Sequence, residues 1–164
     1  MTKQELATRI WATANVLRKN IKASEYKDYI LGFMFYKYLC DKEMDHLLDM
    51  GGSFEDLKNA DENLQTTLKD DKGYFIAYKD MFEYWKGLGV KLGAKDVSEA
   101  LDRFYTNLKP IYSNVFNKIF SALQTGLSKL GDNAGSRDKA VRDIVELVAL
   151  IPPTSREYDV LGYI

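Results

Sequence analysis

The chain has 164 residues, 46% hydrophobic and 29% charged, which fits one ordinary domain burying about 70% of its unfolded surface. Its formal net charge of -1 excludes a domain that grips DNA through bulk positive charge, so a nucleic-acid contact would have to come from a local patch or from other domains. The single cysteine, Cys40, excludes an internal disulfide framework.

In chain order, Thr2 and Glu5 form a T-x-x-E capping box. Leu6, Ile10, Ala14, Leu17 and Ile21 then recur at helical spacing, predicting a first helix over about 3–20. The start MTKQELATRI lacks the basic and apolar regions of a signal peptide. Ser24 is a candidate N-cap for a second helix that is apolar around most of its girth through Tyr26, Tyr29, Ile30, Phe33, Met34, Tyr38 and Leu39. A helix of that kind is the central one, and this one runs to a stop at Gly51-Gly52. Its apolar run, 29–40, is too short for a bilayer span of about 20 residues and is interrupted by Lys37. The chain therefore reads as soluble and cytoplasmic.

Ser53 opens a polar segment with one or two short helices. The piece 74–78 (YFIAY) favours extended backbone, although one short strand makes no sheet. Asp80 is a candidate cap for a short helix holding Met81, Phe82, Tyr84 and Trp85 and ending at Gly87. Asp96 and Glu99 repeat a capping-box pattern before Leu101, Phe104 and Leu108, with Pro110 as the stop. Val115, Phe116, Ile119, Phe120, Leu123, Leu127 and Leu130 space as one further helix, with Gly126 as its weak point. Ser136 is a candidate cap for a last helix carrying Val141, Ile144, Val145, Leu147, Val148 and Ile151, closed by Pro152-Pro153. The fold class is all-α: an irregular helical bundle around a long central second helix, with 74–78 as its candidate extended segment.

Chemistry is sparse. His46 has no second histidine to share a metal with, and a zinc site takes three or four ligands. Cys40 reads as a small core residue, and Asp41, Glu43, Asp45 and Asp49 read as a solvated helix face. The glycines of GLGVKLG (87–93) are spaced one residue too long for a dinucleotide fingerprint and follow no strand, so they read as a turn. In IPPT (151–154), Ile151 and Thr154 occupy the positions where DNA amino-methyltransferases carry Asn or Asp and an aromatic. No catalytic, cofactor or metal residue is assigned. Two basic clusters could meet phosphates: Arg9, Arg18, Lys19, Lys22 and Lys27 near the first helix junction, and Arg137, Lys139 and Arg142 on the last helix. The alternative for each is ordinary solvated surface.

Residues 10–42 (IWATANVLRKNIKASEYKDYILGFMFYKYLCDK) carry a more specific signal. Ile10, Trp11, Ala14, Leu17 and Arg18 match an I-W-x-x-A-x-x-L-R pattern. Tyr26, Lys27, Tyr29, Ile30, Leu31, Gly32, Phe35, Lys37, Tyr38 and Leu39 match Y-K-x-Y-I-L-G-x-x-F-x-K-Y-L. Both resemble the start of the methyltransferase (HsdM-type) subunit of type I restriction-modification systems. The tail EYDVLGYI (157–164) resembles that family's lead-in to its catalytic domain. The expected division is a helical domain over 1–153, then a linker and the start of a further helix over 154–164, the whole being a piece of a longer protein.

The resemblance implies a parent subunit that uses S-adenosylmethionine to methylate adenine N6 in DNA, through motifs this chain lacks; the chain alone is expected to be inactive and to hold no cofactor. It implies as partners a second such subunit, a specificity subunit that reads the sequence, a restriction subunit and double-stranded DNA, with no membrane. The helical domain is expected to serve assembly and DNA clamping, with Arg18, Lys19, Lys22 and Lys27 as DNA-contact candidates. The competing reading is a self-contained helical protein-interaction module with no DNA role.

Overall fold

A computed structural model of the chain describes residues 2–17 and 23–150, with only some side chains of the first helix and the start of the second. The described residues form eight α-helices joined by short 3-10 turns, with no strand. None of these helices is long and apolar enough to cross a membrane.

Helix α1 (Lys3–Leu17) begins at the capping box: the Glu5 amide donates to Thr2 Oγ1 (3.1 Å) and the Thr2 amide to Glu5 Oε2 (3.0 Å). Ala7 on this helix is buried; the Leu6, Ile10, Ala14 and Leu17 side chains, and Ile21, lie outside the described residues. Helix α2 (Ala23–Asp49) is about 40 Å long at 1.5 Å per residue and is the spine, packing against α1 and four later helices. It begins one residue before Ser24, so that residue is inside the helix and is not its cap. Its end is a Schellman motif: Gly51 is left-handed (φ 84°), its amide donates to the Leu48 carbonyl, and the Gly52 amide donates to that of Leu47, both at 2.9 Å.

Ser53 caps α3 (Phe54–Lys58) in a reciprocal box with Asp56, and Asp61 caps α4 (Glu62–Lys72), which ends on left-handed Gly73. Residues 74–77 are extended without sheet partners and bury Tyr74, Phe75 and Ile76. A 3-10 turn (Tyr78–Asp80) leads into α5 (Phe82–Leu88). Asp80 does not cap this helix, because its carboxylate is held by Arg103. Helix α6 (Ala94–Thr106) starts two residues before Asp96, whose carboxylate reaches back to the Gly93 amide (2.9 Å). Helix α7 (Ser113–Gly126) ends at Gly126, and Leu127–Lys129 continue as a 3-10 turn. Helix α8 (Ala134–Ala149) is capped by Asn133, with Ser136 as the reciprocating third residue.

The core is aromatic. Tyr36 of the spine stacks on Trp85 (4.8 Å, 10° between planes), and Phe104 meets Tyr36, Phe116 and Phe120 edge-on at 5.2–6.3 Å. Full burial of each such ring contributes roughly 2–3 kcal/mol. Helix α7 approaches the spine closely because glycines face it: a Cβ at Gly32 would sit 3.3 Å from Leu123, and one at Gly126 would overlap the Tyr29 ring.

Candidate functional site

The amino-terminal basic cluster is placed in part. Lys27 is exposed early in α2, whereas Arg18, Lys19 and Lys22 lie outside the described residues. The second cluster serves the fold. Arg142 Nη1 donates to the Leu92 carbonyl (3.0 Å) and reaches that of Val90, pinning the turn before α6. Lys139 pairs with Asp143 at 2.8 Å and Arg137 reaches the Gly131 carbonyl.

The positions of the 10–42 pattern divide by environment. Tyr29 is buried, Gly32 admits α7, and Lys37 is buried along its length. Trp11, Lys27 and Tyr38 are exposed, while Phe35 is half-buried and meets Tyr38 edge-on at 6.0 Å. The side chains of Leu17 and Tyr26 are outside the described residues. Among the described positions of the pattern, Tyr29, Ile30, Gly32, Lys37 and Leu39 are buried, Leu31 and Phe35 half-buried, and Trp11, Lys27 and Tyr38 exposed.

The buried titratable groups were not all legible. Cys40 is buried as expected, and burial pushes its thiol well up. Glu43 overturns the reading of a solvated acidic face. It is 0% exposed, Oε1 accepts the Ile76 amide at 2.7 Å, and Oε2 has no partner. Burial raises its pKa to about 8 against the pull of that hydrogen bond, so it is a neutral acid at neutral pH. The signal for it was present: Tyr36, Cys40, Glu43 and Leu47 share one helical face. Asp80, also buried, is gripped by Arg103 Nε (2.8 Å) and Nη2 (2.6 Å), and its backbone carbonyl accepts the Tyr36 hydroxyl (2.7 Å). His46 pairs with Asp71 of α4 at 2.8 Å.

Two open grooves flank α3. The larger, about 760 Å³, lies over the Asp80–Arg103 pair and is walled by Phe75, Tyr78 and Tyr84, with Lys58, Lys79, Asp96 and Glu99 giving both charge signs. The smaller, about 400 Å³, lies at the carboxyl end of the spine. Among the described residues no group of three or more His, Cys, Asp or Glu could hold a metal. The Gly87–Gly93 segment is a helix end and a 3-10 turn, with Gly89 at φ 55°.

A family model described as the HsdM N-terminal domain matches residues 6–148. Among solved structures, the chain is similar to the methyltransferase subunit of a type I restriction-modification system from Streptococcus thermophilus, with 25% sequence identity and a TM-score of 0.71. The likeness covers 99% of this chain and 37% of that one, so the chain spans little more than a third of that subunit.

Proposed function

The chain belongs to the HsdM N-terminal domain family, and from that premise we propose that it is the assembly and DNA-clamping end of a type I restriction-modification methyltransferase subunit, not its methyl-transfer centre. The family match across 6–148 carries this reading. The likeness spans 37% of the Streptococcus thermophilus subunit, and the methyl donor, S-adenosylmethionine, and the chemistry at adenine N6 are assigned to the remainder of such a subunit, its catalytic domain. On this reading 1–153 is the helical domain, and 154–164 is the linker and the start of the helix leading into the catalytic domain. The partners are a second such subunit, the specificity and restriction subunits, and double-stranded DNA.

Arg18, Lys19, Lys22 and Lys27 are the proposed phosphate contacts. The exposure of Lys27 supports this, and so does the use of Arg142 in holding the turn before α6, which takes one member out of the second cluster. Reversing all four charges in the full-length subunit, assembled with its partners, should weaken DNA binding and flatten its salt dependence. The loss is about 0.9 of a log–log slope unit per phosphate contact removed. Unchanged affinity and slope would reject the patch. Calorimetry of the 164-residue chain with S-adenosylmethionine should show no binding heat; tight binding would reject the division of labour.

A further inference from the structure

The carboxyl end of the spine carries a groove whose charge is opposite to that of the amino-terminal basic cluster. The 400 Å³ groove there has an apolar floor of Leu47, Met50 and Leu64, and Met50 is 46% exposed. Its rim holds Glu55, Asp56 and Asp61, and no lysine or arginine lines it. The surrounding segment, 45–62, adds Asp45, Asp49 and Glu62 to the acids and offers one lysine in return. That lysine, Lys58, places its ammonium over the Tyr78 ring at 5.5 Å.

The fold accounts for part of these charges: Glu55, Asp56 and Glu62 stand in the first turns of α3 and α4, and Asp61 caps α4, where the helix dipole favours them. Acidic residues in the last turn of a helix oppose its dipole, yet Asp45 and Asp49 stand at the end of α2, whose one basic group there is His46. Neither Asp49 nor Glu55 has an ion-pair partner among the described residues. Asp56 and Asp61 are used in capping and line the rim as well. Leu48 and Phe54, on either side of the Gly51-Gly52 stop, are also exposed, at 55% and 39%.

We propose that this groove docks a cationic segment of a partner polypeptide, with one aliphatic or aromatic anchor seated on Leu47, Met50 and Leu64 and flanking Lys or Arg side chains meeting Asp49, Glu55 and Asp61. An apolar floor beside the unpaired Glu55 and the capping carboxylates Asp56 and Asp61, with Asp49 close by in sequence, favours such an occupant through both buried area and charge. The same carboxylates repel nucleic acid. This inference does not depend on the DNA-contact patch.

The test titrates the 164-residue chain with a 12-residue synthetic peptide of lysines and leucines, followed by NMR amide shifts. A twin with glutamate for lysine and a twin with serine for leucine serve as comparisons. Shifts should concentrate at Met50, Gly51, Gly52 and Leu64, and both twins should bind at least tenfold more weakly. The double variant D49K/E55K should lose about tenfold in affinity, the scale of two or three exposed ion pairs. D49K alone should weaken the peptide while its unfolding midpoint holds or rises, since a cation there suits the helix end. That opposition of signs separates a docking role from a structural one. Shifts elsewhere, equal binding of either twin, or unchanged affinity of the double variant would overturn the proposal. So would a DNA duplex that shifts these same amides.

Discussion

Glu43 and Asp80 are both carboxylates taken out of water, and the two regions that hold them solve the same electrostatic problem differently. Glu43, on the spine, faces the extended segment 74–77 and has no cation beside it; it is held neutral by its proton and offers one oxygen to the Ile76 amide. Asp80, at the end of that same segment, lies under a two-pronged guanidinium from α6. Arg103 is itself held more firmly protonated by that hydrogen bond. One end of the segment is thus tied by a neutral acid that titrates, and the other by a two-pronged ion pair. The difference teaches that 74–80 is held by two chemically unlike attachments, side by side.

The strongest test of this contrast is pH. Glu43 has a folded pKa of about 8 against an ordinary 4.5, so the folded state binds its proton more tightly than the unfolded state. The resulting stability is complete below about 4.5 and is lost as pH rises through 8, at about 1.4 kcal/mol per pH unit at most. Glu43→Gln retains an acceptor for the Ile76 amide and carries no charge. Its unfolding free energy, measured by denaturant titration, should therefore lack this slope and exceed that of the parent at pH 8. Parallel curves for the two proteins would mean that Glu43 is not held neutral.

Next in size is Arg103→Leu, which strands the buried Asp80 carboxylate and should cost about 3 kcal/mol, the low end for a broken buried pair because Arg103 is half exposed. Adding Asp80→Asn should recover a good part of that loss, and an additive double variant would break the pairing argument. The smallest effects come from the tyrosines. Tyr36→Phe removes the bond to the Asp80 carbonyl, and Tyr74→Phe removes the bond to the Leu39 carbonyl. Each should cost about 1 kcal/mol, and thermal unfolding of both, at pH 6 and pH 8, would show whether the two regions are equally tight.

Much of the helical framework was legible because its signals are local. The Thr2–Glu5 box, the Gly51-Gly52 stop and the inward face of α8 each depend on residues within about one turn of one another. Helix starts were displaced where a polar residue could be either the cap or the third residue that answers it. Asp96 and Ser136 are both the latter, with Gly93 and Asn133 ahead of them. The carboxylate sites were illegible for a different reason. Glu43 sits in the polar string Asp41-Lys42-Glu43, and the amide that receives it is 33 residues away. Asp80 looks like a cap until α6, 23 residues on, brings Arg103 to it. The face that Glu43 shares with Tyr36, Cys40 and Leu47 is the one local hint, and the groups that complete both sites lie far along the chain. The candidate interaction residues stood out through the 10–42 pattern, whereas the groove at the spine's carboxyl end requires Met50, Glu55 and Leu64 to be seen together.

The length of the spine gives the near-zero net charge another meaning. Lys27 and Asp49 are separated by 22 residues of continuous helix, about 33 Å. At physiological ionic strength the Debye length is about 8 Å, so each end of the rod is screened from the other by some four such lengths. A polyanion approaching the Lys27 end feels almost nothing of the acids at the far end, and a cationic segment at the far end feels almost nothing of the lysines. Lys27 and Asp49 therefore act independently on whatever approaches them, a separation that the sum over the sequence hides.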